Sequence, residues 1–269
     1  MKNLTAINKA TVHRNRYKLI FVLILVAILY IWSFAGISFS GIQDSAGEVT
    51  KSIIGGIFHP DWAYTYDGSG EDLVSLMLQT IAMAFLGTFI SAILSVPFAF
   101  WAARTGSSKF HVRSTTGKLV LTLIRTFPEI VLAIMFIKAV GPGSFAGVLA
   151  VSIHSIGMLG KLFSESIENM DFGPSEALMS SGGNRLQTLT FATLPTVLPE
   201  FLSYTLYRFE IAVRSASILG MVGAGGIGTP LLFAIQTRHW SRVGIILVGI
   251  IVTVTLIDYI SGSIRKRLV

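Results

Sequence analysis

The chain has 269 residues and no cysteine, which excludes disulfides, thiolate metal sites and a cysteine nucleophile. Charge is scarce as well. Only 13% of the residues are Asp, Glu, Lys or Arg, about half the roughly 25% of an ordinary soluble domain. One large core cannot explain that shortage, because a surface facing water still needs polar cover. Chemical signatures are missing too. No two histidines lie four apart, so there is no His-Glu-x-x-His zinc helix. A phosphate-cradling loop needs Gly-x-x-x-x-Gly-Lys-Ser/Thr. Its nearest approach, Gly157-Met158-Leu159-Gly160-Lys161-Leu162, lacks the first glycine spacing and the hydroxyl. No internal repeat or low-complexity tract stands out.

What the sequence does have is apolar length. Hydrophobic residues make up 52% and the mean hydropathy is +0.69, so much of the chain has lipid as its solvent. A helix that crosses the hydrocarbon needs about 20 apolar residues. Six segments meet that need: Leu19–Ile37, a stretch within Leu73–Ala103, Leu119–Val140, Phe145–Phe163, Phe201–Val222 and Val243–Ile260. The expected fold class is therefore all-α, a polytopic membrane helix bundle with about six transmembrane helices. The first segment follows Lys9, Arg14, Arg16 and Lys18, as in a secretory signal. Its uncharged run to Gln43 is too long for one, and no small-residue cleavage site ends it, so it is expected to be retained.

Charge placement orients the stack. The net charge of +7 is gathered at the ends of apolar runs rather than spread as a nucleic-acid surface. Residues 1–18 carry Lys2, Lys9, Arg14, Arg16 and Lys18 with no acid. The link after the second span carries Arg104, Lys109, Arg113 and Lys118, and the tail ends Arg265-Lys266-Arg267. The first link is the reverse: Asp44, Glu48, Asp61, Asp67, Glu71 and Asp72 against Lys51 alone. Positive-inside placement then puts both termini in the cytoplasm of a multi-pass protein of the cytoplasmic membrane, which an even number of spans satisfies. Arg238, His239 and Arg242 fall on the outer side, either as a local exception or as cations that meet an anionic ligand or a docked partner. Residues 1–72 are read as tail, first span and outer link. Residues 73–269 are read as the core, with an inner loop at 171–198.

Charges inside the spans are the next signal. Arg125, Glu129, Arg208, Glu210 and Arg214 lie within apolar segments, where an ionised group costs at least about 2.5–3.5 kcal/mol and must face the bundle interior, a partner or water. Arg125 with Glu129, and Glu210 with Arg214, are four apart and can share a helix face. Arg208 has no such partner of opposite sign in its own span. A guanidinium suits a bidentate oxyanion contact, so these five residues are candidates for a substrate path, with interhelical structural pairing as the alternative. Pro128 is expected to kink or break the third span. His154 reads as a buried hydrogen-bonding group, and Lys161 with Glu165 as a structural pair. Gly220, Gly223, Gly225, Gly226 and Gly228 form either a packing surface or a gate or hinge.

The inner loop carries Glu176-Ala177-Leu178-Met179-Ser180-Ser181-Gly182, then Leu194-Pro195. Pro174 and Ser175 can open a helix with Glu176 in its first turn. Gly182-Gly183 allow a sharp turn, and Pro195 is expected to stop the inner helix and begin the climb into the fifth span. The register resembles the coupling loop of bacterial ABC importer permeases: Glu-Ala-Ala, three residues, Gly, nine residues, Ile, one residue, Leu-Pro. Leu178 and Ala192 depart from it, staying small or apolar. The resemblance makes Glu176, Ala177, Gly182, Gly183, Leu194 and Pro195 the docking hairpin for a separate ATPase.

From about Leu119 onward the chain resembles phosphonate-import permeases more specifically. The matching stretches are Arg125-Thr126-Phe127-Pro128-Glu129, Ala146-Gly147-Val148-Leu149-Ala150, Gly160-Lys161-Leu162-Phe163 with Glu165 and Glu168, Tyr207-Arg208-Phe209-Glu210 followed by Val213-Arg214-Ser215, and Val222-Gly223-Ala224-Gly225-Gly226-Ile227-Gly228. That resemblance implies transport of a phosphonate or a related phosphorus oxyanion from an extracytoplasmic phosphonate-binding protein. It also implies two permease copies and two ATP-binding subunits, which hold the ATP and magnesium, so no cofactor is expected in this chain. An importer permease for another small solute, such as an amino acid, has the same coupling loop. An intramembrane hydrolase using Glu129, Glu210 or His154, and a gated channel, are the different-class alternatives. The first lacks an oriented base, and the second leaves the loop unexplained. The reading is of a transport subunit rather than an enzyme.

Overall fold

A computed structural model describes residues 2–36, 46–104 and 112–268, with side chains from Arg16 onward. The side chains of Lys2, Lys9 and Arg14, and Ile37, Gln43, Asp44 and Lys109, lie outside the described residues. All regular structure among the described residues is helical. The chain divides into two compact units, Met1–Lys51 and Ser52–Val269. The first holds the long helix α1 (Lys2–Ala35), whose stretch Arg16–Ala35 has a mean hydropathy of 2.4 and no buried residue. The helix α2 (Ala46–Phe58) follows, so the acidic link carries a short helix.

The second unit is the bundle. Its helices are α3 (Leu73–Ala102), α4 (Val112–Thr126), α5 (Glu129–Val140), α6 (Ser144–Asn169), α7 (Gly173–Ser180), α8 (Arg185–Thr188), α9 (Leu194–Leu219), α10 (Gly228–Gln236) and α11 (Trp240–Leu268). With α1, helices α3, α6 and α11 are long and apolar enough to cross a membrane, and α4 with α5 make a fifth crossing if taken as one broken span. Helix α9 has the length, at 26 residues, but Arg208, Glu210 and Arg214 sit in its middle and lower its hydropathy. The span expected at Phe201–Val222 is thus a helix held by its polar contacts.

Helix α6 is the centre of the unit: 61% of its most apolar stretch is buried, against 33% for α3 and 22% for α11. Small residues let its neighbours come close. At Gly157 an added Cβ would lie 2.7 Å from the backbone nitrogen of Arg125 and 3.0 Å from the carbonyl of Leu121. At the N-terminal end of α3, Asp72 caps the helix, accepting from the Ser75 amide at 2.7 Å and the Gly68 amide at 3.2 Å. The Ser75 bonds hold its carboxyl below the usual aspartate range.

The third span is broken, as Pro128 foretells. Helices α4 and α5 meet at 78°. Proline has no amide hydrogen and pushes the residue before it out of the helical region, so Phe127 leaves the helix and Pro128 starts the next one as its N-cap. The freed polar groups find partners. The Pro128 carbonyl accepts from Val131 at 3.0 Å, and His154 Nδ1 donates to the Phe127 carbonyl at 3.1 Å.

The Gly157 contact is with backbone, which cannot yield. Gly157→Ala is expected to lower the melting temperature in detergent by several degrees and reduce the folded yield. Gly262→Ala, where an added Cβ meets nothing within 4 Å, is expected to change neither. Equal stability of the two variants would show that α4 can move away from α6 at little cost.

Candidate functional site

Two features converge on α9: a hairpin at its start and a network of charges along its length. In the hairpin, Pro174 lies in the first turn of α7, and Glu176 carries its charge at the helix N-terminus. The helix ends in a Schellman motif. The Gly183 amide donates to the Leu178 carbonyl at 2.9 Å, and the Gly182 amide to the Met179 carbonyl at 3.0 Å. Gly182 takes a φ of +88°, which a Cβ disfavours. Asn184 then caps α8 in a reciprocal box with Gln187, at 2.8 Å each way. Ser175 and Thr193 hydroxyls, 3.4 Å apart, tie the two arms. Glu176, Ala177 and Gly182 are exposed, and so are apolar side chains, with Leu186 at 71% and Phe191 at 73%.

Pro195 behaves differently from the expectation that it would stop the inner helix. The chain stays helical from Arg185 to Leu219, passing through one wide turn at Leu189–Thr193. There the Leu194 amide reaches back five residues to Leu189. A π-type turn moves the carbonyls that a proline ring would strike and absorbs its missing donor. The second arm and α9 are consequently one rod. Its base is fastened to α6 by the stacked rings of Phe163 and Phe201, 4.0 Å between centroids, and by a short hydrogen bond from Ser166 to Glu200.

Four of the five candidate path charges, Glu129, Arg208, Glu210 and Arg214, have ionic partners on other helices rather than on their own. Arg208, 2% exposed, donates from its terminal nitrogen to Glu129 Oε2 at 3.1 Å, and Glu129 is 11% exposed. Its Nε donates to Ser155 Oγ at 2.7 Å. The other Glu129 oxygen is buried and has no hydrogen-bond partner among the described residues. Glu129 and Arg125 do not share a helix face as their spacing suggests, because the break at Pro128 lies between them; Arg125 is exposed. Nor is Glu210 the ionic partner of Arg214. Arg265 from α11 takes Glu210 at 2.8 Å and lies 5.7 Å from the Tyr207 ring centre. Arg214 lies 3.9 Å from Asp258, and its Nε reaches the Glu210 carbonyl at 3.4 Å. Asp258 went unnoticed in the sequence and Arg265 read only as a tail cation, although their spacing of seven puts both on one face of α11. The Lys161–Glu165 pair is present at 3.8 Å.

Helix α9 ends in a glycine-rich turn. A 3₁₀ turn over Gly220–Val222 leads into Gly223, Gly225 and Gly226, all at positive φ, and then into α10 at Gly228. On the same side of the bundle Arg242 is not a free cation. It lies 3.9 Å from Asp61 and 4.6 Å above the Tyr64 ring.

A helical membrane bundle with an exposed apolar hairpin on one flank and charge sequestered in its interior belongs to the class of membrane transport subunits. Residues 95–269 match the family described as binding-protein-dependent transport system inner membrane component, and the chain belongs to that family. It is 39% identical over 191 residues to a phosphite transport system permease protein of Stutzerimonas stutzeri, covering 71% of this chain and 69% of that one. It is 39% identical over 214 residues to a phosphate-import permease protein of Mycolicibacterium smegmatis, covering 80% and 40%. Over 121 residues it is 46% identical to an Escherichia coli protein named as a cryptic phosphonate transport system permease, covering 45% and 99%. Among solved structures the fold resembles a chain of the MetNI methionine ABC transporter in an inward-facing conformation, with a TM-score of 0.62 at 20% identity over 73% of this chain and 96% of that one.

The buried pair sets a measurable cost. Removing one partner leaves an uncompensated charge, which costs about 3–5 kcal/mol, whereas replacing both with apolar groups is often close to neutral. Glu129→Ala is expected to lower detergent-state stability strongly, and Glu129→Leu with Arg208→Met to recover most of it. Additive losses in the double variant would contradict the pairing.

Proposed function

We propose that this chain is the permease subunit of an ATP-driven importer that moves phosphonates or a related phosphorus oxyanion, such as phosphite, across the cytoplasmic membrane. A binding protein delivers the cargo from outside, and a separate ATPase engages the 171–198 hairpin from inside. Both termini are cytoplasmic, two permease copies work with two ATPase subunits, and the chain performs no chemistry of its own. The observation that carries this reading is the hairpin: a Glu176–Gly182–Pro195 register folded as two short helices around a Schellman turn, with Leu186 and Phe191 exposed. Apolar groups displayed this way suit a cleft in a partner. The oxyanion class is favoured by the printed names of relatives at 39–46% identity, whereas methionine transporters share the fold at 20%.

Arg125, Glu129, Arg208, Glu210 and Arg214 are the proposed cargo path. In this scheme the cargo oxyanion competes with Glu129 for the Arg208 guanidinium, and Arg125 supplies a nearby accessible cation. Glycines 220–228 are the proposed gate.

Gly182→Val places a β-branched residue at positive φ, a genuine outlier. Uptake of a radiolabelled phosphonate by the complete transporter is expected to fall at least about tenfold, with the chain still inserted but no longer co-purifying with its ATPase. Normal uptake counts against the coupling role. Arg208→Lys keeps the charge but loses the planar fork. Uptake is expected to fall several-fold while binding-protein-stimulated ATP hydrolysis remains; unchanged uptake removes Arg208 from the path.

A further inference from the structure

The glycine-rich turn is tied down mainly by α3, at Gln79 and Thr80. Gln79 Nε2 donates to Ser144 Oγ, the first residue of α6, at 2.6 Å. Gln79 Oε1 accepts from the Gly226 amide at 3.2 Å. One carboxamide thus bridges three separate parts of the chain. Beside it, Thr80 Oγ1 accepts from the Ile227 amide at 3.0 Å and donates to the Leu76 carbonyl at 2.8 Å. The Gly143 amide donates to the Gly223 carbonyl at 3.0 Å. The approach is close. A Cβ on Gly226 would lie 2.5 Å from Thr80 Oγ1, and one on Gly225 would lie 3.0 Å from Ser144 Oγ.

The two α3 side chains differ in one respect. Thr80 is fully buried, so its bonds have no water to replace them. Gln79 is exposed and lines an open cavity of about 680 Å³ that also holds Asp67, Glu71, Thr229 and Arg242. Water in that cavity can take over both Gln79 bonds, so each shifts a two-state balance by only about twofold to tenfold. A contact of that strength holds a closed state without freezing it. It is also placed to respond. The turn and the 171–198 hairpin are at opposite ends of α9, whose 26 residues span about 39 Å at 1.5 Å each, and packed rods transmit shifts of this kind.

We propose that Gln79 is the latch of the outward mouth, a positioning residue that holds the glycine turn and the start of α6 against α3 and lets go when the mouth opens. This rests on the importer reading above. Its bonds to Ser144 and Gly226 form and break together, whereas the Thr80 contact is the fixed pivot below them.

The test uses the complete reconstituted transporter with its ATPase and binding protein. Gln79→Met keeps length and bulk and removes both bonds. ATP hydrolysis without binding protein is expected to rise about fivefold, and cargo moved per ATP to fall. Ser144→Ala is expected to act in the same direction, the double variant to be no worse than Gln79→Met alone, and Ser144→Thr to behave as wild type. The latch is overturned if Gln79→Met leaves both quantities unchanged, or if uptake and hydrolysis fall by the same factor, as for a purely structural residue. Additive effects in the double variant overturn it as well. If the wild-type transporter moves no phosphorus oxyanion while Gln79→Met still raises hydrolysis, the cargo reading fails and the latch stands.

Discussion

The contact between Arg208 and Glu129 organises the rest of the bundle. A charged group in hydrocarbon is costly wherever it lies, so the chain either excludes such groups or closes them against each other. Here the closure runs between α9 and the first turn of α5, with Ser155 of α6 accepting from the Arg208 Nε. Glu129 can reach Arg208 because Pro128 breaks the third span and starts a new helix at that point. The break at Pro128 thus brings Glu129 to Arg208 and lets α9 carry that charge in the interior of the bundle.

The same logic makes α9 the mechanical element. It begins beyond a wide turn that keeps it continuous with the second arm of the hairpin, and its charges bind it sideways to α5 and α11. It ends in a glycine turn that folds against α3 and α6. In the proposed importer cycle, a displacement of the hairpin would be carried by a rod rather than lost at a flexible joint. The specific pairs also give α9 a discrete set of partners to exchange, which is how small shifts become switches.

Much of this was legible in the sequence because the cues are local. The apolar runs placed the long helices, Pro128 marked the break, and Gly182-Gly183 marked the turn. The partners of the buried charges were not legible. Arg208 and Glu129 are 79 residues apart, and a four-residue spacing pointed Glu129 toward Arg125 across a break that separates them. Arg265 read as one of three tail cations, yet it closes on Glu210 from a different helix. Pro195 misled for another reason. Its missing donor is a local fact, but the wide turn that absorbs it depends on the five residues before it. Gln79 carried no signal at all, since an isolated glutamine at the end of an apolar run gains meaning only from what folds against it.

The central claim is that the hairpin is the point where an ATPase grips this chain from the inner side. Because the chain has no cysteine, Leu186→Cys supplies a unique thiol on the exposed arm for short-range crosslinking in membranes that contain the ATPase subunit. The expected result is a permease–ATPase crosslink that forms only with inside-accessible reagent, changes with nucleotide and blocks uptake. Labelling of that thiol from the outer side by an impermeant reagent, with no crosslink to the ATPase, would contradict it.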